Sequence, residues 1–315
     1  LAELARRGLL LPERLSSVVP VVSRALLYDV RRGGTSTGTH VRDAACYVCW
    51  AFARAYEPAV MRPFVQELSA GMLTVACFDR EVNCRRAASA AFQENVGRQG
   101  AENFPNGIPM LTAADFFTLG SRARAFVNIA PQIAAMDTSG KLRRAFMLHL
   151  TRVSLRHWDE TVRVLAARSI AALAESPEGA ALLVEEHFDE MLERCIAPDL
   201  LVRHGNIVAV GCVLRALSHS PRFHLGGVLD SARLSAARMV LVRAERARAY
   251  RGRGGQAVRQ AACDLITSLS RANVPLSRKG FFRLWQTVEE CAKHPFDAVQ
   301  RAAAAAAHAL TRHCI

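Results

Sequence analysis

One short phrase recurs along the chain and constrains its fold more than any other feature: an apolar residue, an arginine, one further residue, then small residues. It stands at Val41-Arg42-Asp43-Ala44-Ala45, Cys84-Arg85-Arg86-Ala87-Ala88, Val162-Arg163-Val164-Leu165-Ala166, Val202-Arg203-His204-Gly205-Asn206, Val258-Arg259-Gln260-Ala261-Ala262 and, less regularly, Val299-Gln300-Arg301-Ala302-Ala303. The steps between second positions are 43, 78, 40, 56 and 41 residues. The step of 78 covers two units, one of them degenerate near residue 124, and the step of 56 covers one unit with an insertion. A fixed period of this length is the signature of a repeat array in which each unit buries its apolar face only by stacking on the next.

The residues downstream of each phrase give the secondary structure. Offsets +4, +7, +8 and +11 from the first residue are Ala45, Val48, Cys49 and Phe52 in one unit, and Ala262, Leu265, Ile266 and Leu269 in another. That is one face of an α-helix. The spacing matches the roughly 40 to 47 residues of HEAT or armadillo units. The expected fold is therefore all-α, an α-solenoid occupying 1–315 as a single array. The second helix of each pair begins near 41, 84, 162, 202, 258 and 299, with an irregular repeat at about 101–140 and an insertion at about 220–255. Strand signals are poor, and Arg31 to His40, rich in Gly, Ser and Thr, reads as a less regular stretch.

Composition bounds the function. The chain carries 41 basic and 28 acidic residues, a formal charge of +13, which points to an acidic partner. Thirty-eight of the basic residues are Arg and 53 residues are Ala, a joint bias that a GC-rich coding sequence also produces. Nine cysteines without a dense framework suit a reducing compartment. No stretch is expected to reach the 18 or more apolar residues of a membrane span. The start, Leu1-Ala2-Glu3, is neither an initiator Met nor a signal peptide and reads as the interior of something longer.

Each candidate motif has a plainer reading. Cys46 and Cys49 lie on a repeat helix without a matching second ligand pair, which favours core packing over zinc. His308, His313 and Cys314 read as an exposed helix end, and no metal or other cofactor is expected. Gly252-x-Gly254-Gly255 lacks the Lys-Ser/Thr of a phosphate loop and reads as a turn. No spacing brings a catalytic set together, so the chain is not expected to be an enzyme. The segment Ser231 to Gln256 is the most basic, and Arg246, Arg248, Arg251 and Arg253 are its candidate contacts for RNA or another acidic partner. Trp50 and Trp158 read as core or inter-repeat packing rather than interface anchors. Asn95 stands where the stripe demands an apolar residue, marking either a helix end at Gly97 or a site serving something besides the core. Arginines recurring at the period itself read as structural, bonding turns and neighbouring units.

The runs Asp29 to Gly33, His40 to Pro58 and Phe78 to Gly100 closely resemble the tubulin-folding cofactor D (tubulin-specific chaperone D) family. Ser154 to Asp159, Ala197 to Gly205 and Tyr250 to Gln256 are similar to the same family. The resemblance implies the central portion of a large HEAT-repeat protein that binds β-tubulin. Such a protein works with tubulin cofactors C and E and an Arf-like small GTPase to assemble or dismantle the αβ-tubulin heterodimer. It also implies stimulation of tubulin GTP hydrolysis together with those cofactors, and residence in the cytoplasm on the microtubule cytoskeleton. No membrane is implied, and nucleic acid is the lesser alternative. Under this resemblance the expected partner contacts are Arg31, Arg32, Tyr56, Glu57, Gln93, Glu94, Arg98 and Gln99.

Overall fold

The computed structural model describes residues 1–222, 224–250 and 254–313. The chain divides into two compact units, Leu1–Phe146 and Met147–Ile315, each an all-α stack of helix pairs of the α-solenoid class. In the first unit the inner helices Thr39–Ala55 and Val82–Asn103 pack on one another, with Leu15–Leu26 and Val65–Phe78 as outer helices. The unit continues through the short helix Gly107–Ala113 and a wide π-turn, Ala125–Ile129. That turn leads into Ala130–Met136, whose Pro131 has no N–H to keep the regular ladder. In the second unit the inner helices are Glu160–Leu173, Leu200–His219, Gly255–Arg271 and Asp297–His313, each packed on the next.

The apolar stripes become the cores. In the first unit the ring of Phe78 meets Phe126 and Phe146 edge-on, with centroids 5.1 and 4.9 Å apart, and Phe52 and Phe92 are fully buried. Phe188, Ile207, Leu214 and Leu269 fill the second. Full burial of such a side chain is worth about 1.5–3 kcal/mol, and this burial is what holds a helix stack together.

The repeated arginines lock the turns. Arg42 is buried, and its Nε donates to Asp79 Oδ2 at 2.6 Å while a second nitrogen donates to Tyr28 O at 2.9 Å. Asp79 also accepts the amide of Glu81 at 2.8 Å, so one carboxylate fixes the turn that enters the Val82–Asn103 helix and holds the preceding unit's arginine. Arg85 repeats the device one unit on, donating to Leu119 O at 2.9 Å and Gly120 O at 3.0 Å. Arg163 donates to His204 Nδ1 at 3.1 Å and to His157 O at 2.8 Å. Burial pulls the Arg42 guanidinium down, but the bonds and charge of Asp79 outweigh it and hold the group above its ordinary value.

Three expectations need correction. Val30–Arg32 and Thr35–Thr37 form a two-stranded antiparallel hairpin, β1 and β2, with Arg31 opposite Ser36. Its turn is Gly33-Gly34, where Gly33 has φ +62°, a conformation a side chain disfavours. The Val82–Asn103 helix does not stop at Gly97; it runs to Asn103 with its break at Gly100, φ 74°. Finally, Leu200–His219 is long and apolar enough to cross a membrane by length and composition, yet 67% of its apolar window is buried within the unit as a packed inner helix.

Candidate functional site

On the Thr39–Ala55 helix the buried side is Cys46, Cys49, Phe52 and Ala53. Tyr47, Trp50 and Arg54, three and four residues apart, share the adjoining face and stay outside the core. Tyr47 is 47% exposed and its ring stacks on half-buried Trp50, with centroids 5.6 Å apart at 14°. The Arg54 guanidinium lies 4.7 Å from the Trp50 ring centroid and donates to Glu94 Oε1 at 3.0 Å. Arg98 Nε donates to the same oxygen at 2.9 Å. At the other end Arg6 reaches Tyr47 Oη at 3.5 Å. The result is one strip, Tyr47, Trp50, Arg54, Glu94 and Arg98, across two neighbouring inner helices, with Arg6 of the short helix Ala2–Arg6 at its end.

Beyond Arg98 the strip opens into a groove of about 790 Å³ between the Val82–Asn103 helix and the Phe104 to Leu111 segment. Gln93, Gly97 and Arg98 line one side, and Phe104, Ile108 and Pro109 the other. Exposed ion pairs contribute only about 0–1 kcal/mol and exposed cation–π contacts about 0.5–1 kcal/mol, so the strip adds little to folding. Its composition, Trp, Tyr and Arg beside a groove, is that of a protein interface.

The expected contact residues divide. Gln93, Glu94 and Arg98 are brought together on the strip and groove. Glu57 is exposed at the start of the Pro58–Met61 turn. Arg31 and Arg32 project from the hairpin, Arg31 Nε donating to Gly33 O at 3.0 Å, and no hydrogen bond or ion pair joins them to Glu94 or Arg98. Tyr56 and Gln99 do not belong to a contact surface. Tyr56 is buried, with its hydroxyl donating to Leu10 O at 2.7 Å. Gln99 is 2% exposed, its amide bonded to Ala53 O and Tyr56 O, both at 3.2 Å. Arg246 and Arg248 are exposed on the second unit and have no ion-pair partner among the described residues. Arg251 and Arg253, with Gly252 and Cys314, lie outside the described residues.

Residues 1–108 match the family described as tubulin-specific chaperone D-like, ARM repeats. The chain is 36% identical over 280 residues, 88% of its length, to tubulin-specific chaperone D of Dictyostelium discoideum. It is 28% identical over 173 residues, 55% of its length, to tubulin-folding cofactor D of Schizosaccharomyces pombe. This is a tubulin-specific chaperone D-like chain. It spans 18% of the length of the first relative and 15% of the second. An engineered protein of known structure aligns over 99% of this chain and 93% of its own at 13% identity, with a TM-score of 0.32, too slight a likeness to bear on the fold.

In the tubulin-specific chaperone D-like chain the groups that meet on the strip are two aromatic rings, guanidinium groups and one carboxylate. Among the described residues no three or more His, Cys, Asp or Glu side chains converge as metal ligands. Cys46 and Cys49 are buried in the first unit, and burial pushes the Cys49 thiol up to about 12, so it stays protonated. The sequence pattern did not single out Arg6, Tyr47 or Arg54, and it read Trp50 as packing; stacking on Tyr47 and Arg54 leaves Trp50 half-buried. The available signal was the Tyr-x-x-Trp-x-x-x-Arg spacing, one step off the buried stripe. What hid it was that apolar aromatics on a helix read as core until the neighbouring helix is placed.

Proposed function

We propose that this chain is a tubulin-docking portion of a tubulin-folding cofactor, non-enzymatic in itself, with the strip from Tyr47 to Arg98 as its contact surface. The observation that carries the reading is the 36% identity over 88% of the chain to a tubulin-specific chaperone D. In this reading the partner is β-tubulin, free or within the αβ heterodimer, in the cytoplasm. The longer protein acts with cofactors C and E and an Arf-like GTPase to assemble or dismantle the heterodimer and to promote GTP hydrolysis on tubulin. The stacked Tyr47 and Trp50 rings would supply apolar contact, while Arg54 and Arg98, which share the single carboxylate of Glu94, retain donors for acidic groups on the partner.

The test is co-elution of the purified chain with αβ-tubulin by size exclusion at low and moderate salt, with RNA as competitor. The expected result is a complex that survives moderate salt, ignores RNA and weakens at least tenfold in W50A and in R98E. Unchanged affinity in both variants removes the strip from the interface. Displacement by RNA moves the binding activity to the exposed Arg246 and Arg248 segment.

A further inference from the structure

In the second unit the Ser231–Arg246 helix and the start of the Arg278–Ala292 helix enclose a recess of about 280 Å³. Three cations line it. Arg238 comes from the first helix, and Lys279 and Arg283, four residues and so about 6 Å apart along the axis, come from the second. The hydroxyls of Ser235 and Ser277 join them, and buried Val242 and Leu284 give the recess an apolar floor. Arg238 donates to the carbonyl of Pro275, which ties its side chain to the segment entering the second helix and leaves its charge unopposed. The side chains of Lys279 and Arg283 have no hydrogen-bond or ion-pair partner among the described residues.

The carboxylates of these two helices are engaged elsewhere. Glu290 lies 3.7 Å from Arg259, and Glu289 lies 2.8 Å from Lys293. Glu245, two turns beyond Arg238 at the far end of the recess, accepts the Thr287 hydroxyl. Helix Phe188–Arg194, which carries Asp189, Glu190 and Glu193, packs on the other face of Ser231–Arg246, where Asp189 and Asp230 hold Arg233. No Asp or Glu lines the recess itself. Three like charges drawn together without a counter-charge repel one another, so an anion entering between them is favoured. Two guanidinium groups, an ammonium and two hydroxyls offer more donors than the two oxygens of a carboxylate take up. They suit the three oxygens and near-double charge of a phosphomonoester. No aromatic side chain lines the recess, so a nucleic-acid base finds no ring to stack on. Arg238 and Arg283 are half-buried, set back from a flat bilayer surface. The apolar floor calls for a hydrophobic side chain beside the phosphate, which a peptide supplies. We propose that this recess binds a phosphoserine or phosphothreonine segment of a partner protein, its phosphate among Arg238, Lys279 and Arg283 and a neighbouring apolar side chain on Val242 and Leu284. The site lies in the second unit, and its test does not use tubulin.

The probe is a fluorescein-labelled peptide of Gly, Ala and Leu with one central phosphoserine beside a Leu, read by anisotropy against the purified chain. Comparison probes are the same peptide with Ser or with Asp at the central position, poly-U RNA, and phosphatidylcholine vesicles carrying phosphatidylinositol phosphate. The expected result is micromolar binding of the phosphopeptide alone, weakened at least tenfold by R283E and severalfold by K279A, with circular dichroism and Tm unchanged. Lys279 is exposed and unpaired, so K279A reads the site even where R283E disturbs the fold. R278E, at a guanidinium that lies over the Phe282 ring on another side of the same helix, leaves the affinity as it was. No binding, equal binding of the Ser or Asp peptide, unchanged affinity in both R283E and K279A, or an equal loss in R278E overturns the proposal. So does R283E-sensitive binding of RNA or vesicles in place of the phosphopeptide.

Discussion

At the residue scale the repeated arginine shows how one sequence position does different work at each occurrence. Arg42 is 5% exposed and faces the Asp79 carboxylate with two nitrogens. Arg259, at the same register, is only half-buried; it lies 5.2 Å from the Tyr250 centroid and 3.7 Å from a Glu290 oxygen. Removing one partner of a buried, bonded pair leaves the other charged and unsolvated, at about 3–5 kcal/mol, whereas an exposed pair is worth about 0–1 kcal/mol. R42A and D79N should therefore each lower the urea midpoint strongly, and R259A barely. Equal effects of R42A and R259A would mean that the Arg42 to Asp79 bridge is not what secures the turn. Recurrence alone marked these arginines as structural. Their partners, a carboxylate, two carbonyls or a histidine, were not legible, because each is supplied by a segment some 34 to 41 residues away.

At the element scale two inner helices of the first unit are joined by a ladder of carboxamides. Asn95, Gln99 and Asn103, spaced by four on the Val82–Asn103 helix, donate to Cys49 O at 3.2 Å, to Ala53 O and Tyr56 O at 3.2 Å, and to Pro58 O at 3.0 Å. Gln99 thereby satisfies Ala53 O and Tyr56 O at and just past the end of the Thr39–Ala55 helix, while Cys49 O, inside that helix, and Pro58 O, which also takes the Arg62 amide, each accept a carboxamide. This is why polar residues occupy a stripe the apolar period assigns to the core. Glycines separate in the same way. A Cβ at Gly205 would meet Leu155 O at 1.9 Å, while one at Gly97 meets nothing within 4 Å. G205A should lose about 1–3 kcal/mol or more through overpacking, and G97A should gain up to about 1 kcal/mol of helix propensity. Thermal melts of the two variants check this; a neutral G205A would show that the helix can shift away from that backbone. Both glycines lie in helical patterns, and only the position of the neighbouring chain distinguishes them.

At the scale of the whole molecule, acid lability is built into the second unit. Burial, with Arg163 adding to it, pushes His204 down to about 3, and burial, with His157 adding to it, pushes His149 down to about 4. Both are neutral when folded near pH 7. Below the ordinary histidine value of about 6.5 the unfolded chain binds protons that the folded chain refuses, so stability is full above that value and falls as pH drops toward the folded values. Each histidine should withdraw up to about 2 kcal/mol between pH 8 and pH 5. Urea midpoints at the two pH values check the loss, and H204Q, which keeps an acceptor for Arg163, should flatten it. An identical slope in H204Q would assign the acid response elsewhere.

The repeat period, the all-α stack and the structural standing of the arginines were determined by sequence alone, because they follow from local periodicity that each helix carries within itself. The hairpin at Gly33-Gly34 was also legible in principle from its glycine pair. Tertiary structure alone decided that Trp50 is half-buried between Tyr47 and Arg54, that Gln99 and Tyr56 are buried, and that Phe117 stands in solvent. Exposure is a property of what packs beside a residue, and in a repeat stack that neighbour comes from the adjoining unit, too distant in sequence for periodicity to report.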